Sequence, residues 1–285
     1  MSLLSIKGLC LSIHGTEILK DVSFDIAPGE ICGVIGESGS GKSLTAFSVM
    51  QLLPRGSETS GEIRLSGLDV LAARESELCR MRGSDLGMVF QEPMTALNPV
   101  QTIGAQVAET ILIHQDVSKA EAMARAAETL ERCELPNDRF PLGRYPHELS
   151  GGQRQRVVIA MAIALQPKLL IADEPTTALD VTTQAEILRL LKRLVDEDDM
   201  GLMLISHDLA VVTDLADHIV IMKDGEVVET GEAATLHKSM QHPYTKALFE
   251  ASGHQPDRTA TRIEAPLLSV EGVIRDYALP RTSLL

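Results

Sequence analysis

The stretch "EICGVIGESGSGKSLTAFSVMQLLP", Glu30 to Pro54, decides the fold. "EICGVIG" is a short apolar run ending in glycine, as expected of a buried strand in a parallel sheet. From Lys42 to about Leu53 the pattern is helical, with Pro54 as the stop. Between them "GESGSGKS" fits G-x-x-x-x-G-K-[ST], in the strand–loop–helix setting that this motif requires. Glycines let backbone N–H groups wrap a phosphate without Cβ clashes, and the helix N-terminus behind them adds roughly half a positive charge. Lys42 is placed to reach the β- and γ-phosphates, and the Ser43 hydroxyl to ligate Mg²⁺. The candidate triphosphate site is therefore the whole loop: Gly36, Glu37, Ser38, Gly39, Ser40, Gly41, Lys42 and Ser43.

Outward from that loop, "SIKGLCLSIHGTEILKDVSFDI" reads as two alternating strands around a His14-Gly15 turn. "GEIRLSG" and "DLGMVFQ" are further strands. From about Thr102 to Leu135 the period becomes helical, with Ser118 and Glu121 as a capping box and Pro136 as the end. Another helix runs from near Gly151 to before Pro167. "KLLIADE" is a buried strand, and Thr183 with Glu186 is expected to cap the next helix. That helix carries an apolar stripe of Ile187, Leu190, Leu191 and Leu194. "GLMLISHD" is a strand, and "HIVIMKDGEVVETG" a hairpin around Asp224-Gly225. Strands alternating with helices, an all-helical insertion and antiparallel strands at both ends define an α/β fold.

Two more stretches bear on chemistry. "LLIADEP" ends a buried strand with Asp173 and Glu174. Beside a phosphate loop, Asp173 suits a Mg²⁺-linked acid and Glu174 a general base for the attacking water. Two solvated acids at a helix start explain the same letters. "LSGGQRQR" puts Ser150, Gly151 and Gly152 at another helix N-terminus. An ordinary serine cap accounts for it, and so does a second anion site serving a triphosphate held by a partner chain.

"GESGSGKS", Gln91 in "VFQEP", "LSGGQ", "LLIADEP", "ALD" ending at Asp180, and His207 in "LISHD" occur in one order. That order resembles an ABC-transporter nucleotide-binding subunit from about Ser5 to Glu250. The resemblance implies a P-loop NTPase (RecA-like) core with an antiparallel β subdomain and a helical subdomain at about 92–155. It also implies a head-to-tail dimer with ATP and Mg²⁺ sandwiched between the phosphate loop of one domain and LSGGQ of the other. By the same resemblance Glu174 is the catalytic base, His207 contacts the γ-phosphate, and Gln91 and Asp173 lie near Mg²⁺ and the attacking water. Ser150, Gly151, Gly152 and Gln153 face the nucleotide from the partner side, and Asp180 links the two sites. The family stacks an aromatic ring on adenine, and His14 stands at that place here.

"VFQEPMTALNPVQTIG" and "QHPYTKALFEA" are similar to segments of the oligopeptide, dipeptide and nickel importer ATPases. That branch implies membrane-spanning permease subunits, an indirect substrate-binding protein, and a peripheral place on the cytoplasmic face of the inner membrane. Bulk properties agree. A net charge of −14 repels nucleic-acid backbones, so no nucleic-acid partner is expected. Cys10, Cys32, Cys79 and Cys133 fit no disulfide or zinc spacing, which reads as a reduced cytosol. The longest apolar run, "VVIAMAIAL" from Val157, is far short of the ~20 residues that span a bilayer. No sustained heptads point to a DNA-repair relative.

The chain then repeats itself. After Glu250, residues 251–266 are polar, proline-bearing and aperiodic, as in a linker. "LLSVEG" from Leu267 restates "LLSIKG" from Leu3. Duplication is the expectation, with 1–250 as one ABC domain and 267–285 as the first strand of a second, truncated here and poorly ordered or loosely docked.

Overall fold

A computed structural model describes residues 2–91, 96–253 and 268–275. Leu4–Ile13 (β1), Thr16–Ile26 (β2), Ser57–Leu65 (β4) and Leu68–Asp69 (β5) form an antiparallel sheet in the order β2-β1-β4-β5. The β1–β2 hairpin turns at His14 and Gly15, whose φ values of 50° and 78° match the twist of the strands. Ile31–Ile35 (β3) joins a second sheet with Leu86–Val89 (β6), Leu169–Asp173 (β7), Gly201–Ser206 (β8), His218–Lys223 (β9) and Glu226–Glu232 (β10). Its order is β10-β9-β3-β8-β7-β6, parallel except for the β9–β10 hairpin.

Both faces of this second sheet are covered, which is why its strands read as unbroken apolar runs. Along β8, Leu202 and Leu204 enter a core shared with helices, while Met203 and Ile205 enter one shared with the antiparallel sheet. β9 repeats the division, with Ile219 and Ile221 on one side and Val220 and Met222 on the other. The alternation is the two-residue pleat read out as two cores.

Among the described residues the α-helices are Lys42–Met50 (α1), Glu75–Ser84 (α2), Ile103–His114 (α3), Lys119–Arg132 (α4), Gly151–Ile163 (α5), Val181–Asp198 (α6), Leu209–Leu215 (α7), Ala233–Ser239 (α8) and Pro243–Gly253 (α9). α1 stops before the expected Leu53. Gln51 takes a left-handed φ of 51° and its N–H closes on the Phe47 and Ser48 carbonyls, so the helix is capped before Pro54. Ser118 caps α4, accepting from the Glu121 N–H at 3.2 Å. α6 corrects the sequence reading: its cap is Asp180, not Thr183 with Glu186. The Asp180 carboxylate accepts from the Thr183 N–H at 3.1 Å and from the Thr183 hydroxyl at 2.7 Å. Glu186 pairs instead with buried Arg156, which also bonds Glu134. The stripe Ile187, Leu190, Leu191 and Leu194 is buried as expected.

Met1–Ser252 forms one compact unit and Gly253–Leu285 another. The expected linker begins inside α9, and most of it lies outside the described residues. Of the expected repeat strand, residues 268–275 are exposed and carry neither helix nor strand, and the remainder lies outside the described residues.

Candidate active site

The phosphate loop connects β3 to α1. Its glycines are demanded at two places. Gly41 is the N-cap of α1 at a φ of 100°, and a Cβ there would stand 2.5 Å from Leu19 Cδ2. Gly36 packs so closely on the Met222 carbonyl that a Cβ would collide with it. The β9–β10 turn supports the loop from outside: the Gly225 N–H donates to the Ser40 carbonyl at 3.2 Å, and the Gly225 carbonyl accepts from the Lys20 N–H at 2.9 Å. Lys42 is buried, and its ammonium donates to the Gly36 carbonyl at 2.8 Å and the Glu37 carbonyl at 2.9 Å. Burial pulls its pKa down, while Glu174 and Asp173 pull the other way without cancelling it.

Opposite the loop, β7 ends in the two acids. Asp173 is buried, and burial raises its carboxyl above the usual range despite a hydrogen bond from Ser43. Its Oδ1 has no partner in the protein. A buried, orphaned carboxylate oxygen beside a serine hydroxyl suits a hard cation that takes oxygen ligands, so the residues present fit Mg²⁺.

Glu174 sits at a φ of 48°, unusual for a residue with a side chain. The turn aims its carboxylate into the cleft. Oε2 accepts from Gln91 Nε2 at 3.0 Å and from the Thr177 hydroxyl at 2.9 Å, and Oε1 lies 3.2 Å from His207 Nδ1. Burial would push this carboxyl up. The bonds from Thr177 and His207, with the charges of His207 and Lys42, outweigh it and hold the pKa below the ordinary range. Ser38, Gly39, Gly41, Lys42, Ser43, Leu44, Gln91 and Glu174 line one open cleft of about 180 Å³. Gln91, also expected at the metal, turns its amide nitrogen to Glu174.

Other expected residues lie elsewhere. Ser150, Gly152 and Gln153 line a separate pocket with Arg139, Arg156 and Thr183. Ser150 caps α5 in a reciprocal box: its hydroxyl accepts from the Gln153 N–H at 3.3 Å, and Gln153 Oε1 accepts from the Ser150 N–H at 3.0 Å. Gly151 packs against Leu179, and Gly152 leaves no room for a Cβ beside the Thr183 methyl. Thr183 thus joins exposed Asp180 to the start of α5. His14 is exposed at its turn and lies over Gly56, outside the residues lining the cleft. Two residues that bond the site, Thr177 at Glu174 and Tyr244 at the loop, carried no reading from sequence. Thr177 had a weak signal, a hydroxyl three places after the acid. Tyr244, whose hydroxyl accepts from the Glu37 N–H at 3.0 Å, had none.

The family model for the ABC transporter matches residues 19–177. The chain is 47% identical over 268 residues to the peptidoglycan transport ATP-binding protein YejF of Agrobacterium fabrum, covering 91% of this chain and 49% of that protein. It is 48% identical over 255 residues to the probable D,D-dipeptide transport ATP-binding protein DdpD of Escherichia coli, covering 87% of this chain and 78% of that one. It therefore spans about half the length of the first relative and over three quarters of the second. Among solved structures, the dimeric post-hydrolysis state of the ATP-binding cassette MJ0796 with ADP and Pi superposes with a TM-score of 0.70 at 32% identity, covering 81% of this chain and 98% of that one.

Proposed function

The chain belongs to the ABC transporter family, and from that premise we propose that it is an ATP-hydrolysing subunit energising import of short peptides or related solutes. Glu174 carries the reading: one carboxylate held by Gln91, Thr177 and His207, beside a loop that ends in Lys42 and Ser43. Loop N–H groups receive the β- and γ-phosphates, and Lys42 exchanges a bond to a loop carbonyl for one to a phosphate oxygen. Glu174, ionised at neutral pH, takes the proton of the attacking water as the new O–P bond forms. The bond from the γ-phosphorus to its bridging oxygen breaks, and ADP leaves. His207 and Gln91 keep the carboxylate aimed. Ser43 and Asp173 would hold Mg²⁺, whose charge offsets that on the phosphate oxygens when it is bound.

The separate pocket at Ser150, Gly152 and Gln153 supports a second role for that helix, closing on a triphosphate held by a second ABC domain with Gly151 beside it and Asp180 between. ATP closes such a pair and hydrolysis opens it, and the helical insertion beyond Gln91 passes the motion to membrane-spanning permease subunits. Among the described residues no helix is long and apolar enough to cross a membrane, which fits a spanning partner. The relatives' names, peptidoglycan and D,D-dipeptide transport, support a peptide-type cargo; the resemblance to the importer branch supports its delivery by a substrate-binding protein, with this subunit on the cytoplasmic face. The restated "LLSVEG" supports a second ABC domain on the same polypeptide.

Glu174→Gln tests the chemistry. ATP should stay bound while phosphate release falls by roughly a hundred- to ten-thousandfold, the range for a lost general base. Near-normal release would overturn the assignment.

A further inference from the structure

α9 begins one residue before Tyr244, whose hydroxyl accepts from the Glu37 N–H at 3.0 Å across 207 positions of sequence. On the other side of the same residue, the Glu37 carbonyl accepts from Lys42 Nζ at 2.9 Å and from the Ser40 N–H at 3.2 Å. Both backbone groups of Glu37 are thus tied, one to α9 and one to the lysine that meets phosphate. Tyr244 is itself held firmly. Lys223 Nζ lies 5.0 Å from its ring centroid. The Glu229 carboxylate accepts from the Gln241 N–H at 2.6 Å and the His242 N–H at 3.2 Å, fixing the approach to the helix. His242 Nδ1 accepts from the Tyr244 N–H at 3.2 Å, and Leu248 and Phe249 pack on the helical core. Burial keeps the phenol's pKa raised, so its oxygen stays a neutral acceptor.

Glu37 is exposed, and water would satisfy its N–H if the tyrosine hydroxyl were gone. The bond therefore does little for folding. Its geometric effect is larger, because it fixes the peptide whose carbonyl seats Lys42. We propose that Tyr244 is a positioning residue for nucleotide: acting through Glu37 and Lys42, it makes α9 set the affinity of the loop for di- and triphosphates. The proposal rests on the reading of the loop as an ATP site.

Tyr244→Phe keeps the ring under Lys223 and removes only the hydroxyl. Binding of ATP and of ADP is measured on the full chain, together with the melting midpoint without nucleotide. Both affinities should fall together, by about three- to tenfold for one lost hydrogen bond, because both nucleotides carry the β-phosphate. The nucleotide-free midpoint should not move, and Lys246→Ala on the exposed side of the same helix should change nothing. Unchanged ATP and ADP affinities overturn the proposal. So does a loss confined to ATP, which would place the effect at the γ-phosphate, and so does a lowered midpoint, which would make Tyr244 a packing residue. A wild-type chain that binds neither nucleotide overturns the functional reading and this one with it.

Discussion

α1 begins at Gly41, at a φ of 100°, with no side chain capping it and no acid in its first turn. α5 begins at Ser150, in extended backbone, with its hydroxyl and the Gln153 amide closing on each other's N–H groups. The two starts share glycine and serine letters, yet one leaves its N-terminal donors open and the other spends two of them within the chain. Open donors and an unopposed helix dipole form a cradle that is finished only when an anion arrives. A boxed start is complete as it stands, and an anion adds to it through the neighbouring glycine N–H groups. Glycine-rich helix starts are thus not one kind of site. Capping, which a spacing rule ignores, separates a helix end with open donors from one that is already closed.

The largest effect should come from the open end. Lys42→Ala should weaken ATP binding by roughly a hundredfold in titration calorimetry, since charge-assisted bonds to phosphate are among the strongest available. Next is Gly152→Val, whose side chain would strike Thr183. Overpacking should cost about 1–3 kcal/mol, read in denaturant unfolding, while ATP affinity of the isolated chain stays within about twofold. A loss as large as that of Lys42→Ala would erase the distinction between the two ends. The smallest effect is Ser150→Ala, about 1 kcal/mol of stability for a lost cap, again with ATP affinity unmoved; a clear affinity change there would bring the boxed end into the chain's own site.

Much of this was legible in letters. Each buried strand of the second sheet announced itself as an apolar run, and the loop, Gln91 and Glu174 line one cleft, with His207 against Glu174. Part of what escaped was short or distant, and the ten-residue α2 carried no reading from sequence. α7 and α8 span seven residues each, too few for a helical period to show. The α6 cap was misplaced because Asp180 and Thr183 both suit a cap, and only the bond between them settles which one the helix uses. Tyr244 and Glu37 are far apart in the chain, and no local pattern reports a contact made by folding. The C-terminal end of α1 differs from expectation for a similar reason: Gln51 in a left-handed conformation leaves no mark in composition.

Gly225 carries a consequence for anyone who alters the molecule. An Asp-Gly turn between short strands is ordinarily a tolerant place to splice in an epitope or a protease site. Here the turn glycine meets β2 through Lys20, abuts the Ile18 carbonyl too closely for any side chain, and donates to the Ser40 carbonyl. It is a three-way junction in the guise of a surface bend, and lengthening it pries apart a strand edge and the nucleotide cradle in a single stroke.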